Sequence, residues 1–238
     1  MAGGYYTALS GMRARMDALD RLSADIANSS TAGYKAERGT TEQAERPVFD
    51  AVLQAAVDVQ NGQTRTDFRP GALSTTNRNL DVAIEGQGFL TVETPHGPRY
   101  TRNGHLTRRA DGVLATDEGD AVLGTDGPIK IGSGAVEIEQ DGTVRENKAA
   151  VGTLRLVDFA PGTPLDRDGG SRFRTAAAPQ AIDKPSFTAG TLEQSNVSTV
   201  ERIAELSEVS RNYQTLLKAV SVLMNDVDRG AITELGRR

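Results

Sequence analysis

Apolar residues at both ends of the chain recur at alternating spacings of three and four. Near the start, the repeat consists of Leu9, Met12, Met16, Leu19 and Ile26, with Ser23 in the remaining slot. Near the end, it consists of Ile203, Leu206, Tyr213, Leu217, Val220, Met224 and Val227, with Ser210 in the odd slot. This spacing is the coiled-coil period. The pattern therefore predicts a helix with an apolar seam at each terminus.

The ends of these two helices have recognisable signals. The first helix is predicted over residues 7–28, and Gly33 suits a left-handed position just past its last turn. The second is predicted to begin at Ser198, because Ser198 and Glu201 have the spacing of a capping box. It is expected to run to about Asp228 and to stop at Gly230.

The region between the helices has the pattern of short strands. Leu80, Val82 and Ile84 alternate with less apolar residues, and Asn-Gly or Asp-Gly pairs at 103–104, 111–112, 126–127 and 141–142 favour hairpin turns. Residues 136–139 and 142–145 are predicted to form a hairpin, residues 152–159 one alternating strand, and residues 161–186 a loop. Strands of this kind predict a small antiparallel sheet, sandwich or barrel.

These elements predict an α+β fold in which paired N- and C-terminal coiled-coil-like helices flank a central, mainly antiparallel β domain. The expected parts are an N-terminal helical arm (1–35), an extended connector (36–78), the β domain (79–190) and a C-terminal helical arm (191–238) that packs with the first. A simple helical hairpin within one monomer is the alternative. Burying a seam side chain contributes about 1.5–3 kcal/mol, whereas ordering each backbone residue costs about 1–2 kcal/mol. We therefore expect the arms to become ordered only when other copies add their seams.

Composition and charge favour a binding or structural role over catalysis. The net charge is −5 with both signs mixed, which disfavours a nucleic-acid groove. The chain has no cysteine, and its two histidines, His96 and His105, lie in turns. We therefore expect no metal, no cofactor and no activated nucleophile. A glycosidase that uses Asp117 and Asp141 and a secreted protein whose helical arms bind a partner remain alternatives.

Targeting signals are not evident in the chain. No stretch of about 18 apolar residues occurs, so we expect no direct membrane span. The N-terminal segment also lacks the basic and apolar regions of a signal peptide. If the protein leaves the cytoplasm, another signal must direct it.

Four stretches, in order, resemble the signatures of bacterial flagellar rod and hook proteins. They are residues 23–35 (SADIANSSTAGYK), 80–90 (LDVAIEGQGFL), 100–104 (YTRNG) and 190–197 (GTLEQSNV). One departure lies at Ala24 and Asp25, where the family often has paired asparagines. Within the family the compact length disfavours the hook protein. The predicted strand 152–159 and the Pro-rich loop after it favour the proximal-rod type, with the distal-rod type as the alternative.

The resemblance implies a structural subunit rather than an enzyme. Members are exported unfolded by the flagellar type III apparatus without a cleaved signal, and they assemble with copies of themselves and other rod subunits. The assembly is a helical tube that crosses the periplasm within the flagellar basal body and transmits torque. The expected assembly interface comprises the seam residues together with Asn28, Thr31, Gly33 and Tyr34 of the first signature.

Overall fold

The computed structural model describes residues 2–39 and 64–235, which form a mainly β fold with two helices. The helices are α1 (Ala2–Ala27) and α2 (Thr199–Leu235). The strands are β1 (Glu37–Gly39), β2 (Thr64–Thr66), β3 (Leu73–Thr75), β4 (Val82–Ile84), β5 (Phe89–Thr94), β6 (Gly97–Thr101), β7 (Leu106–Arg108), β8 (Leu114–Thr116), β9 (Ala121–Gly124), β10 (Gly127–Pro128), β11 (Val136–Ile138), β12 (Thr143–Glu146), β13 (Ala149–Thr153), β14 (Leu156–Asp158), β15 (Asp166–Arg167), β16 (Arg172–Arg174), β17 (Gln180–Ala181), β18 (Phe187–Ala189) and β19 (Thr191–Glu193).

The chain divides into two compact units, each built from discontinuous segments. The helical unit comprises Met1–Ala27, Glu37–Asp67 and Ser198–Arg238, and the β unit comprises Asn28–Ala36 and Phe68–Val197. The four-part division expected from the sequence stays a prediction, and residues 40–63 of its connector lie outside the described residues.

Antiparallel pairing connects all the described strands. In the β unit, the largest sheet has the order β15-β16-β6-β5-β9-β8-β7, with β10 on β9, β14 on β5 and β17 on β14. A three-stranded sheet (β11-β12-β13) and two pairs (β4-β18 and β3-β19) complete this unit. The predicted hairpin is confirmed, because β11 pairs with β12 from Val136 opposite Glu146 to Ile138 opposite Val144. The helical unit contains the pair β1-β2.

The core of the β unit consists of two clusters. The larger is aliphatic and draws its buried members from between Val82 and Phe187. The smaller is aromatic and contains Phe89, Tyr100, Phe159 and Phe173, with Phe68 packed against it. Phe68 meets Phe89 edge-on at a centroid distance of 5.4 Å, a favoured arrangement of aromatic rings.

Two strand predictions in this unit are wrong. The stretch 152–159 is not one strand: β13 ends at Thr153 in the three-stranded sheet, and β14 begins at Leu156 in the large sheet. The supposed loop 161–186 contains β15, β16 and β17, and Phe173 of β16 is completely buried. Strands of two or three residues are too short to show an alternation of apolar and polar residues in the sequence. They are recognised only from their hydrogen bonds to neighbouring strands.

The predicted coiled-coil-like pair of terminal helices is wrong, and with it the α+β class. The fold is mainly β, and the seam residues Leu9, Met16, Ile203 and Leu217 are exposed. Among the helix side chains described, the buried apolar ones are Leu22 and Val209, which lie outside the predicted seams. The helices instead approach at a small residue, since a Cβ added to Gly11 would lie 3.9 Å from Leu216 Cδ1. A heptad pattern marks apolar positions but does not decide which of them the fold covers.

The start of α2 agrees with the capping prediction, whereas its end does not. Arg202 N–H donates to the Ser198 carbonyl (3.0 Å), as expected when Ser198 is the residue that precedes the helix. The helix continues past Gly230 to Leu235, so the predicted stop is wrong. Neither described helix is sufficiently long and apolar to cross a membrane.

Glycines of the predicted turns are required for two different reasons. Gly112, Gly127 and Gly142 have positive φ values of 80°, 116° and 84°, as tight turns demand. Gly104 instead permits close approach of two chains, because a Cβ there would lie 1.6 Å from the Val82 carbonyl oxygen. Its own carbonyl accepts the Val82 N–H at 3.0 Å.

We predict that Gly104→Ala destabilises the β unit by about 3 kcal/mol or more, because backbone must move to accept the methyl group. Urea unfolding followed by circular dichroism measures the loss. Gly119→Ala is the control: φ there is 89°, but no atom lies within 4 Å of the added Cβ. We expect that change to cost only about 1 kcal/mol. Equal losses in the two variants would contradict the importance of the close approach.

Candidate functional site

The predicted seam residues fall into three groups in the helical unit. Leu9, Met16, Ile203 and Leu217 are 48%, 50%, 49% and 42% exposed. The half-buried members are Met12, Leu19, Ile26, Leu206, Tyr213 and Val220. Met224 and Val227 lie in α2, but their side chains are outside the described residues. The assembly role of this set stays a prediction.

The exposed seam residues of each helix share a face. Leu9 and Met16 are two turns apart in α1, and Ile203 and Leu217 are four turns apart in α2. Leu22 projects from a different face of α1, where it is fully buried. Each helix therefore buries one stripe and leaves part of a second, apolar stripe accessible to solvent.

Asp25 joins the two helices by a buried ion pair. Its Oδ2 lies 3.2 Å from Arg202 Nε, and its Oδ1 accepts the Glu37 N–H at 3.3 Å. Asp25 is one of the two positions at which the chain departs from the family pattern. The departure thus supplies a charge contact within the helical unit.

Residues 28–35 of the first signature belong to the β unit. Thr31 Oγ1 donates to Asn28 Oδ1 at 3.2 Å, and Gly33, with φ 68°, donates its N–H to the Glu193 carbonyl at 2.7 Å. Tyr34 is buried beneath the Arg167 guanidinium, which lies 4.2 Å from the ring centroid in a cation–π contact. Gly33 and Tyr34 therefore hold this part of the signature within the β unit.

A buried charge network, which we call the Glu193 network, contains Lys35, Arg102 and Glu193. Lys35 Nζ donates to Glu193 Oε1, Arg102 Nε donates to Glu193 Oε2 at 2.7 Å, and Gly71 N–H donates to Oε1 at 2.9 Å. All three side chains are almost inaccessible to solvent. Each oxygen of the carboxylate therefore has a cationic partner, which is the condition for tolerating a charge in the interior.

Arg102 also holds the loop that follows β4. Its Nη1 donates to the Gly88 carbonyl at 2.9 Å, and its Nη2 to the carbonyls of Gly86 at 2.9 Å and Ile84 at 3.4 Å. The planar guanidinium is suited to several acceptors at once. As a result, all four signature stretches meet around Arg102 and Glu193, although they are far apart in the sequence.

Sequence reasoning did not identify Lys35, Arg102 and Glu193 as partners. Each belongs to a quoted signature, but no spacing rule links residues separated by up to 158 positions. The available signal was that Arg102 and Glu193 are the single charged residues of the third and fourth signatures and that Lys35 ends the first.

The alternative catalytic groups lie in separate turns with structural partners. Asp117 accepts from Asn103 Nδ2 at 3.2 Å, and Asp141 accepts the Thr143 N–H at 2.9 Å. That backbone hydrogen bond lowers the pKa of Asp141, opposite to the change required of a general acid. His105 Nδ1 lies 3.0 Å from Oδ1 of the buried Asp81. Within the described residues, no cluster of acidic and histidine side chains is arranged to hold a metal ion.

The environment of Glu193 couples its ionisation to folding. Burial alone would raise the pKa of Glu193, but the Arg102 charge and hydrogen bonds from Lys35, Arg102 and Gly71 hold it below its ordinary value of 4.5. A lowered folded-state pKa means that the carboxylate stabilises the fold above about pH 4.5. This contribution disappears as the pH falls through the folded-state pKa.

We predict that Glu193→Gln lowers the free energy of unfolding by about 3 kcal/mol at pH 7, because Lys35 and Arg102 lose their anionic partner. The difference between wild type and variant should shrink below pH 4.5, where the wild-type side chain also becomes neutral. Thermal unfolding between pH 3 and pH 7 measures both effects. A stability difference that does not depend on pH would contradict the role of the carboxylate charge.

Comparisons with known proteins agree with the resemblance. A profile described as the flagellar hook protein FlgE/F/G D1 domain matches residues 83–146. A second, described as the flagellar basal body rod FlgEFG protein C-terminal region, matches residues 188–223. These two matched regions contain Arg102 and Glu193 respectively.

Relatives of similar length extend the match over the whole chain. The flagellar basal-body rod protein FlgF of Caulobacter vibrioides is 32% identical over 245 residues, covering 100% of this chain and 99% of the relative. FlgF of Escherichia coli is 31% identical, covering 94% and 95%. The rod protein FlgG of Bacillus subtilis is 28% identical, covering 93% of this chain and 95% of the relative. The chain therefore belongs to the family of flagellar basal-body rod proteins, within which it is most like FlgF.

Proposed function

We propose that the chain is a structural subunit of the proximal rod of the flagellar basal body and that it assembles through the exposed apolar faces of its helices. One observation carries the proposal. Among the described residues, seven large hydrophobic side chains are exposed, and all except Leu73 belong to α1 or α2. The six exposed hydrophobic residues of the helices are Leu9, Met16, Val200, Ile203, Leu217 and Val222.

Isolated exposed hydrophobic residues are common on protein surfaces, so exposure alone carries little information. The concentration of these side chains on the two helices does carry information. In the β unit, two core clusters cover nearly every large apolar side chain. In the helices, Leu9 and Met16 repeat at a heptad spacing, and so do Ile203 and Leu217. Covering each such side chain with a neighbouring molecule contributes about 1.5–3 kcal/mol.

The proposed partners are other copies of this chain and other rod subunits. Family membership supports a place in the basal body, and the proposal adds the periplasm-spanning rod as the site of assembly. It also includes delivery by the flagellar type III export apparatus without cleavage of a signal, and transmission of torque through the assembled tube. No catalytic step is part of this function.

The alternative is a subunit of the distal rod. The FlgG relatives of Bacillus subtilis and Agrobacterium fabrum, at 28% and 30% identity, support it nearly as well as the FlgF relatives at 30% to 32%. The choice between the two positions in the rod therefore requires a genetic test.

We predict that Leu217→Asp abolishes swimming, because a charge on the exposed apolar face of α2 opposes its burial against another subunit. Swimming in soft agar and electron microscopy of isolated basal bodies measure the outcome. Asn212→Asp is the matched control, since it adds the same charge at an exposed polar position of the same helix. We expect that variant to swim normally.

The purified Leu217→Asp protein should unfold at the same temperature as wild type, because the leucine is already 42% exposed. Normal swimming of Leu217→Asp, or equal loss of swimming in both variants, would refute the proposed interface.

We predict that this chain restores swimming to a strain lacking its proximal-rod subunit but not to one lacking its distal-rod subunit. The comparison requires deletion of each gene in the native host and expression of this chain from a plasmid. Rescue of only the distal-rod deletion would establish the alternative.

A further inference from the structure

The chain passes between its two units four times, and the β-unit ends of these crossings carry one set of contacts. The crossings fall at 27/28, 36/37, 67/68 and 197/198. The β-unit segments next to them contain Lys35, Arg69 and Asn196. All the contacts described below lie within the β unit.

Lys35 and Glu193 tie three of these segments together. Besides its ion pair with Glu193, Lys35 Nζ donates to the Arg69 carbonyl at 2.9 Å. Glu193 binds the Gly71 N–H through its carboxylate and the Gly33 N–H through its backbone carbonyl. One lysine and one glutamate therefore join residues 33–35, 69–71 and 193, which lie close to three of the four crossings.

Asn196 connects the same three segments a second time. Its Oδ1 accepts the Ala36 N–H at 2.7 Å, and its Nδ2 donates to the Arg69 carbonyl at 3.1 Å. Its own N–H approaches the Tyr34 carbonyl at 3.4 Å. The strand pair β3-β19 adds main-chain contacts from Leu73 to Thr75.

Partial separation of these segments is unfavourable for an electrostatic reason. If Glu193 moved away from the other segments, Lys35 and Arg102 would stay buried without a carboxylate. Burying an unpaired charge costs much more free energy than burying an ion pair. The aliphatic core does not require the segments, because its buried members all lie between Val82 and Phe187. The contacts should therefore form or break together while that core stays intact.

We propose that residues 190–196 form a crossover clamp, which holds Lys35 through Glu193 and which opens and closes in a single conformational step. In the closed state, the clamp holds residues 33–36 and 69–77 on the β unit. In the open state, those segments are released while the aliphatic core persists. Glu193 is the positioning residue, because its carboxylate satisfies both buried cations. This proposal concerns the folded chain alone and does not depend on the proposed rod function.

Native-state hydrogen exchange of the full chain, followed by NMR at increasing denaturant, tests the clamp. The clamp amides are those of Gly33, Gly71, Thr76, Gln194 and Asn196. They should converge on one opening equilibrium constant. The core amides of Leu114 and Ile129, which pair within the β unit, should open less often. Exchange of clamp and core amides with the same constant, or of each clamp amide with its own, would overturn the proposal even if no variant folds.

A pair of matched variants provides the second test. Glu193→Gln should accelerate exchange of all the clamp amides by the same factor, about a hundredfold. Glu146→Gln is the control, because Glu146 accepts the N–H groups of Gly132 and Gly134 at 2.8 Å and 2.6 Å outside the clamp. It should accelerate only those two amides. Acceleration confined to Gly71 in Glu193→Gln, or by a different factor at each clamp amide, would refute a single-step clamp.

Discussion

The carboxylate of Glu193 is the contact on which the organisation of the β unit depends. It forms ion pairs with both Lys35 and Arg102, one through each oxygen. Because burial of unpaired charges is strongly unfavourable, this arrangement permits little variation in how the three segments meet. The short signatures of the rod family therefore have a physical explanation: each supplies one part of a buried electrostatic network.

The two units differ in how much of their apolar surface is buried within the chain. The β unit covers its apolar side chains within two clusters and leaves mainly turns and ion pairs at its surface. The helices leave several large apolar side chains exposed to solvent. The β unit thus buries its large apolar side chains within one chain, whereas the helices do not. This difference is expected of a subunit whose function is assembly.

Asp25 departs from the family pattern, and the structure shows which contact this residue makes. In the sequence it stands where the family often has an asparagine. In the structure its carboxylate lies 3.2 Å from Arg202 on the other helix. At this position Arg202 therefore has a carboxylate beside it, with which it forms an ion pair, rather than a neutral amide.

The sequence by itself determined the family, the two terminal helices, the start of α2 at Thr199 and the hairpin β11-β12, because local patterns and turn residues encode these features. It did not determine which helix stripe is buried, since Leu9 and Leu22 are equally apolar and only packing distinguishes them. The tertiary structure alone placed β16 in the large sheet, where Phe173 fills the aromatic core. It alone joined Lys35, Arg102 and Glu193, because pairing between distant charges follows from the path of the chain and leaves no periodic trace in the sequence.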